Sequence, residues 1–309
     1  MPNENPPPQS FFAEFATVIH ALSLYGAAGI AAFGWAMGWL TGAPAADWLP
    51  LWFCAALLIY NADRLRRDPA DALNVPARTA ASARLRAASI AVLAAAAFTL
   101  IALPLRRWDW TKIECILTGA IVALGYSIPI FGIRWKDVPL VKTLFAPTVV
   151  TLAVFAPTFL TTVGEWEGVR GIRRAFTLVE FDEGIHPLAA WAWCYLLFNM
   201  LLCDLRDRTG DAQCGIRSIP VVWGENGARR LLWALAVIGQ ILLVALIRSR
   251  LIEDLPLALL ALLTGACQGC LIHATRRPRS ERFYEWAVEG LLYVPAVACG
   301  LAIFITAGK

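Results

Sequence analysis

The chain has 309 residues, 59% hydrophobic and 16% charged, with a mean hydropathy of +0.60. Soluble domains average about 45–50% apolar and about 25% charged residues, so both figures exclude an ordinary water-soluble globule. The net charge of +4 is modest, and no nucleic-acid partner is expected; the placement of the charge carries more information than its sum.

The opening MPNENPPPQS has no basic stretch, so no cleavable signal peptide is indicated, and residues 1–12 read as a flexible tail. Nine stretches then approach the roughly 20 mostly apolar residues that cross a bilayer. They lie near 15–40, 46–62, 85–105, 113–131, 140–163, 187–203, 229–248, 255–274 and 284–306. The second is short and has a polar tail. This pattern predicts an all-α polytopic protein, with residues 1–309 forming one membrane domain and the acidic segments 61–84 and 204–228 as its motif loops. If the N-terminus shares a side with the loops after spans two, four, six and eight, that side holds about 18 of the 27 basic residues. The positive-inside rule places that side in the cytoplasm, with the C-terminus outside, as for a multi-pass protein of the cytoplasmic membrane.

The first polar segment, LLIYNADRLRRDPADALNVPARTA, follows the second span and carries Asn61, Asp63, Asp68 and Asp71, then Asn74, Pro76 and Arg78. Arginines lie among these acids, so a plain cytoplasmic loop and an anion or metal site both fit. Between spans four and five, GYSIPIFGIRWKDVPLVKTLF supplies Tyr126, Ser127 and Pro129, then Arg134, Lys136 and Lys142. Lys142 falls inside an apolar run, where an ionisable side chain must face a polar cavity or reach outward to the interface. The polar stretch 164–186 is expected on the opposite side and shows no recognisable chemistry; His20, His186 and His273 receive no role.

The sixth span runs into CDLRDRTGDAQCGIRSIP. If its helix continues past Cys203, Asp204, Asp207 and Asp211 stand at i, i+3 and i+7, within about 60° of one face and about 10 Å along the axis. Like charges so stacked repel unless a cation sits among them. Hard oxygen ligands in a row suit Mg²⁺, which binds through a few carboxylates and substrate phosphates; a solvated helix end, its acids paired with Arg206 and Arg208, is the other reading. Gly215 and Pro220 turn the chain after the acids, and Arg217 and Ser218 can meet an anion. Of the eight cysteines, Cys267 and Cys270 form a CxxC inside LLTGACQGCLIH, read as small packing residues rather than a metal or redox pair.

On these residues the chain resembles the UbiA superfamily of intramembrane prenyltransferases. The likeness rests on Asp207-x-x-x-Asp211, Gly215-Ile216-Arg217-Ser218, Pro220 and Gly224, on Tyr126-Ser127 with Arg134, Lys136 and Lys142, and on acidic motifs after the second and sixth of nine helices. It implies helices around a central cavity and Mg²⁺-dependent transfer of an isoprenyl group from a prenyl diphosphate to a small aromatic or other lipid-precursor acceptor, within membrane lipid. Asp68 and Asp71 would face Asp207 and Asp211 as the catalytic, metal-bridging acids, with Asp63 and Asp204 as further metal ligands. Arg78, Lys142 and Arg217 would contact diphosphate, with Asn61, Tyr126 and Arg134 beside them. Trp193, Tyr195, Phe198, Tyr126 and Phe145 are aromatic candidates for lining a carbocation chamber, though each serves equally as packing.

The first motif departs from the family pattern Asn-x-x-x-Asp-x-x-x-Asp followed by Asn-x-Pro-x-Arg. Counting back from Asn74-Val75-Pro76-Ala77-Arg78, Asp71 takes the last acidic position, Arg67 falls on the middle one and Asp63 on the Asn position. Pro69 disfavours helix at Asp68, so the helix is expected to break there. A relative that binds or moves a polyprenyl lipid without efficient transfer is the alternative this departure favours, with Arg67 as an internal counter-ion. A secondary transporter is disfavoured because the acids sit at helix ends and not at the bilayer midplane.

Overall fold

In lipid a backbone must satisfy its own polar groups, and a helix does so within one segment. The computed structural model describes residues 11–65, 69–107, 109–127, 138, 140–162, 184–249 and 254–308. Among them there is no strand. The helices are α1 (Phe11–Ala21), α2 (Leu24–Leu40), α3 (Leu49–Leu65, preceded by a 3-10 turn at Ala45–Asp47), α4 (Pro69–Asn74), α5 (Pro76–Arg84), α6 (Arg86–Arg107), α7 (Trp110–Ser127) and α8 (Val141–Thr162). After them come α9 (Ile185–Gln213), α10 (Ile219–Ser249), α11 (Asp254–Ala274) and α12 (Glu281–Ala307).

Seven of these are long and apolar enough to cross a membrane, and α1 with α2, bent by 63°, is apolar enough to be either a broken eighth span or a re-entrant pair. Helix α7 is the remaining expected stretch, 18 residues long with Lys112 and Glu114 near its start. The nine stretches expected from the sequence are helical over their described residues, although the first is broken. The break is at Ser23, whose φ of 61° lies in the left-handed region, uncommon for a residue with a Cβ. Carbonyls released there are taken by side chains of later elements: Asn61 Nδ2 donates to Leu22 O at 3.1 Å, and Arg64 Nη1 to Ala21 O at 2.9 Å and also to His20 O.

The two segments expected as motif loops are mostly helical. Pro69 and Pro76 each begin a helix, the position where a missing N–H costs nothing and a fixed φ helps. They cut the first segment into the tail of α3, then α4 and α5. In the second segment, α9 continues to Gln213 and ends in a Schellman cap. Gly215 has φ 74°, Gly215 N donates to Ala212 O at 3.3 Å and Ile216 N to Asp211 O at 2.8 Å. A five-residue turn follows before α10 starts at Ile219.

The core gathers on α9. Trp191, Tyr195, Phe198, Leu201 and Leu202 are buried, and Tyr195, Trp191 and Phe33 of α2 form a ring cluster, with the Tyr195 centroid 5.2 and 6.1 Å from the other two. The Tyr195 hydroxyl donates to Leu291 O at 2.7 Å, and Trp193 Nε1 to Thr148 Oγ1 at 3.0 Å. Tyr195 and Phe198, named above as chamber candidates, are thus packing residues.

Helices α2 and α3 approach closely because Gly34 has no side chain: a Cβ there would meet the Trp52 ring at 2.5–2.8 Å. The ring cannot easily yield, since Trp52 Nε1 is anchored to Ala153 O at 3.0 Å. Gly34→Val is expected to cost about 1–3 kcal/mol by overpacking, read as a lower thermal midpoint in detergent, with partial recovery when Trp52→Leu is added.

Candidate functional site

The site is built at one end of the bundle, where α9 ends, α8 and α10 begin, and α4 crosses. Helix periodicity brings Asp204, Asp207 and Asp211 to the last turns of α9. Asp204 and Asp211 are buried, at 1% and 0% exposure, so their charges need partners. Lys142, in the first turn of α8, provides one. Its Nζ lies 2.7 Å from Asp211 Oδ2 and 3.8 Å from Asp204 Oδ1. The neighbouring Thr143 hydroxyl donates to Asp204 Oδ2 and accepts from Ile219 N at 3.4 Å, which ties the start of α10 to the same point.

The start of α8 is held by the second motif's own turn. Leu140 N donates to Arg217 O at 3.2 Å, with Leu140 at a φ of 68°. A bulky residue in that region is strained and persists only where its surroundings over-determine it. The Arg217 side chain is exposed, and Ser218 is buried at the foot of the turn.

The first motif reaches the second through Asn74. Its Nδ2 donates to Asp211 Oδ1 at 3.3 Å, and its Oδ1 accepts from Gly210 N at 3.1 Å. Gly210 permits this contact, because a Cβ there would overlap the Asn74 amide. Asp71, one turn earlier on α4, lines a cavity of ≈ 400 Å³ together with Arg64, Arg78 and Arg86. Asp68, Arg67, Arg134 and Lys136 lie outside the described residues, as do the side chains of Tyr126 and Ser127 at the end of α7.

Three of the expected site residues have protein partners in this structure. Asn61 is fully buried, and its amide donates to Leu22 O and Leu57 O at 3.1 and 2.9 Å, tying α3 to the α1–α2 bend. Arg78 lines the same cavity as Asp71, with its Nη1 3.8 Å from Glu289 Oε1 of α12. Asp207, expected as a metal ligand, is held by its neighbour, with Arg206 Nε and Nη2 at 2.7 and 3.0 Å from its two oxygens. The paired-helix-end reading is thus realised for Arg206, whereas Arg208 meets Glu225 at 3.6 Å. Asp63 is partly exposed on the last turn of α3.

The donor set is chemically suited to Mg²⁺, being made of hard oxygens, and the Lys142 ammonium stands as a resident cation between two of them. No group of three or more His, Cys, Asp or Glu converges as a metal cage among the described residues. The physical reason is local: Lys142 and Asn74 engage both oxygens of Asp211, and Arg206 engages both of Asp207. Sequence reading missed Asn74, Thr143, Glu281 and Glu289 as participants. Of these only Asn74 carried a signal, its place in Asn-x-Pro-x-Arg.

Membrane-length helices with an acidic helix mouth, closed by a lysine from the preceding helix, define a polytopic α-helical membrane protein. Residues 68–289, more than two thirds of the chain, match the UbiA prenyltransferase family. The chain therefore belongs to that family, whose membership supports membrane prenyl transfer as the general activity. No curated protein and no solved structure matches the chain significantly.

Removing Lys142 would leave Asp211 buried without its counter-charge, which costs about 3–5 kcal/mol in comparable buried pairs. Lys142→Met is expected to lower the thermal midpoint strongly, and Lys142→Met with Asp211→Asn to restore most of it. Equal midpoints for the two variants would show that the pair is not what holds this end of the bundle.

Proposed function

We propose that this protein transfers an isoprenyl group from a prenyl diphosphate to a small acceptor at the membrane face where α4, α8, α9 and α10 meet. The observation that carries this reading is the junction at Asp211, which joins Lys142 of α8 and Asn74 of the first motif to the second motif. Three sequence segments that resemble the family's motifs meet there in space.

In the reaction the C–O bond of the prenyl diphosphate breaks with its electron pair on the diphosphate. The allylic carbon bonds to the acceptor, and the acceptor loses a proton. Asp207 and Asp211, with Asp204 beside them and Asp68 and Asp71 from the first motif, are the residues that would hold Mg²⁺. The chemistry supplied by the bound metal is neutralisation of charge on the leaving diphosphate. Lys142 moves its ammonium from Asp211 onto the diphosphate, a short swing for a side chain that is 22% exposed. Arg217, on the turn that holds Leu140, adds a guanidinium from the open side. The apolar tail stays in the bilayer, which accounts for an enzyme made of membrane helices. The motif face and the N-terminus are cytoplasmic in this reading, following the distribution of basic residues.

A second reading, a relative that binds a polyprenyl lipid without transferring it, is favoured by one observation: protein cations already occupy Asp207 and Asp211. The two readings separate in one assay with labelled prenyl diphosphates and a panel of acceptors. Transfer is expected to need Mg²⁺, to stop on chelation, and to fall at least about 10²-fold in Asp207→Ala, the scale of losing one preorganised charge-stabilising group. Turnover by Asp207→Ala equal to the unmodified protein would falsify the mechanism. Retained binding with no turnover under any condition would establish the second reading.

A further inference from the structure

The start of α12 departs from regular winding. Glu281–Phe283 form one turn capped by the Ser280 side chain, Tyr284–Val288 wind as a π turn, and Glu289–Tyr293 as 3-10 turns, before α-helix resumes at Val294. Such π insertions cost regular hydrogen bonding and are frequent at functional sites. This segment also brings glutamates to the end of an otherwise apolar crossing, where charge is costly and therefore informative.

Glu281 and Glu289 act on the arginine-bearing turn of the first motif. Helix α5 has Val75 at its N-cap, with no side-chain cap of its own. Glu281 takes that place from more than two hundred residues away: Oε1 accepts from Ala77 N and Oε2 from Arg78 N, each at 3.2 Å. A carboxylate there satisfies two orphan donors and meets the positive end of the helix. Glu289 then takes the side chain of the same arginine, with Oε1 3.8 Å from Arg78 Nη1 and Oε2 3.8 Å from His20 Nδ1. An arginine carries five donors, so one carboxylate contact orients the guanidinium and leaves it capacity for an anion.

The same segment also reaches the second motif. The Arg206 guanidinium that forks onto Asp207 lies 5.3 Å from the centroid of the buried Tyr284 ring, within cation–π range. Asn199 of α9 donates to Val288 O, which ties the π turn to the helix carrying the acids. Three contacts of one short segment thus address Arg78 on one side and Asp207 on the other.

We propose that Glu281–Glu289 is the positioning element of the diphosphate site. Glu281 and Glu289 set the backbone and guanidinium of Arg78, the contact of Asn199 with Val288 O ties the segment to α9, and the two motifs are thereby placed relative to each other by a third segment. This rests on the diphosphate reading proposed above.

The test uses the full-length protein in lipid nanodiscs, with inorganic pyrophosphate plus Mg²⁺ as the probe, titrated calorimetrically well below the thermal midpoint. Glu281→Gln and Glu289→Gln are each expected to weaken binding about fivefold, about 1 kcal/mol at 1.4 kcal/mol per tenfold. In an Arg78→Gln background the same two changes are expected to leave affinity within about twofold, a coupling that a general packing defect would not show. Unchanged affinity in both single variants overturns the proposal. Tighter binding by either Glu→Gln variant also overturns it, because the glutamates would then be competing with the anion. If the unmodified protein fails to bind Mg²⁺–pyrophosphate, the diphosphate reading falls, and this inference with it.

Discussion

Carboxylates at i, i+3 and i+7 on one helix repel each other, and burying two of them makes the repulsion worse. The protein resolves this with the Lys142 ammonium, placed between Asp204 and Asp211. Much of the surrounding architecture serves that placement. Leu140 is held in a strained conformation so that α8 begins with Lys142 and Thr143 facing α9, and the Arg217 carbonyl that holds Leu140 comes from the turn following the acids. The end of α9, the start of α8 and the start of α10 are therefore one electrostatic unit.

The first motif is joined to that unit by an amide and not by an acid. Asn74 fits against Gly210 because the glycine leaves room, and it shares Asp211 with Lys142. Two prolines make this possible: by starting new helices at 69 and 76, they fold a segment that would otherwise extend α3 away from the site back across α9. The register that looked displaced when read as one continuous helix belongs to three short helical pieces, so spacing along the chain is a poor guide to spacing at the site.

The bend between α1 and α2 is the other structural condition. Its released carbonyls draw in Asn61 and Arg64, residues whose composition suggested a ligand site. Buried polar groups must be paired wherever they lie, and here Asn61 answers a backbone requirement. The same logic explains Arg206, which pairs with Asp207 and rests on an aromatic ring of the last crossing.

By itself the sequence determined what depends on local composition and periodicity. It specified the helical class, the approximate positions of the crossings, the continuation of α9 past Cys203, the turn at Gly215, and Lys142 as a charge that needed a polar partner. Each follows from hydropathy, 3.6-residue spacing or glycine stereochemistry, which act within a few residues. Only the tertiary structure decided which charges meet. That Lys142 lies between Asp204 and Asp211, that Asn74 and not Asn61 joins the motifs, and that Arg78 is held by Glu281 and Glu289 all depend on contacts between residues far apart in the chain. A salt bridge or a borrowed helix cap leaves no local pattern, because its energy comes from the partner's position in space.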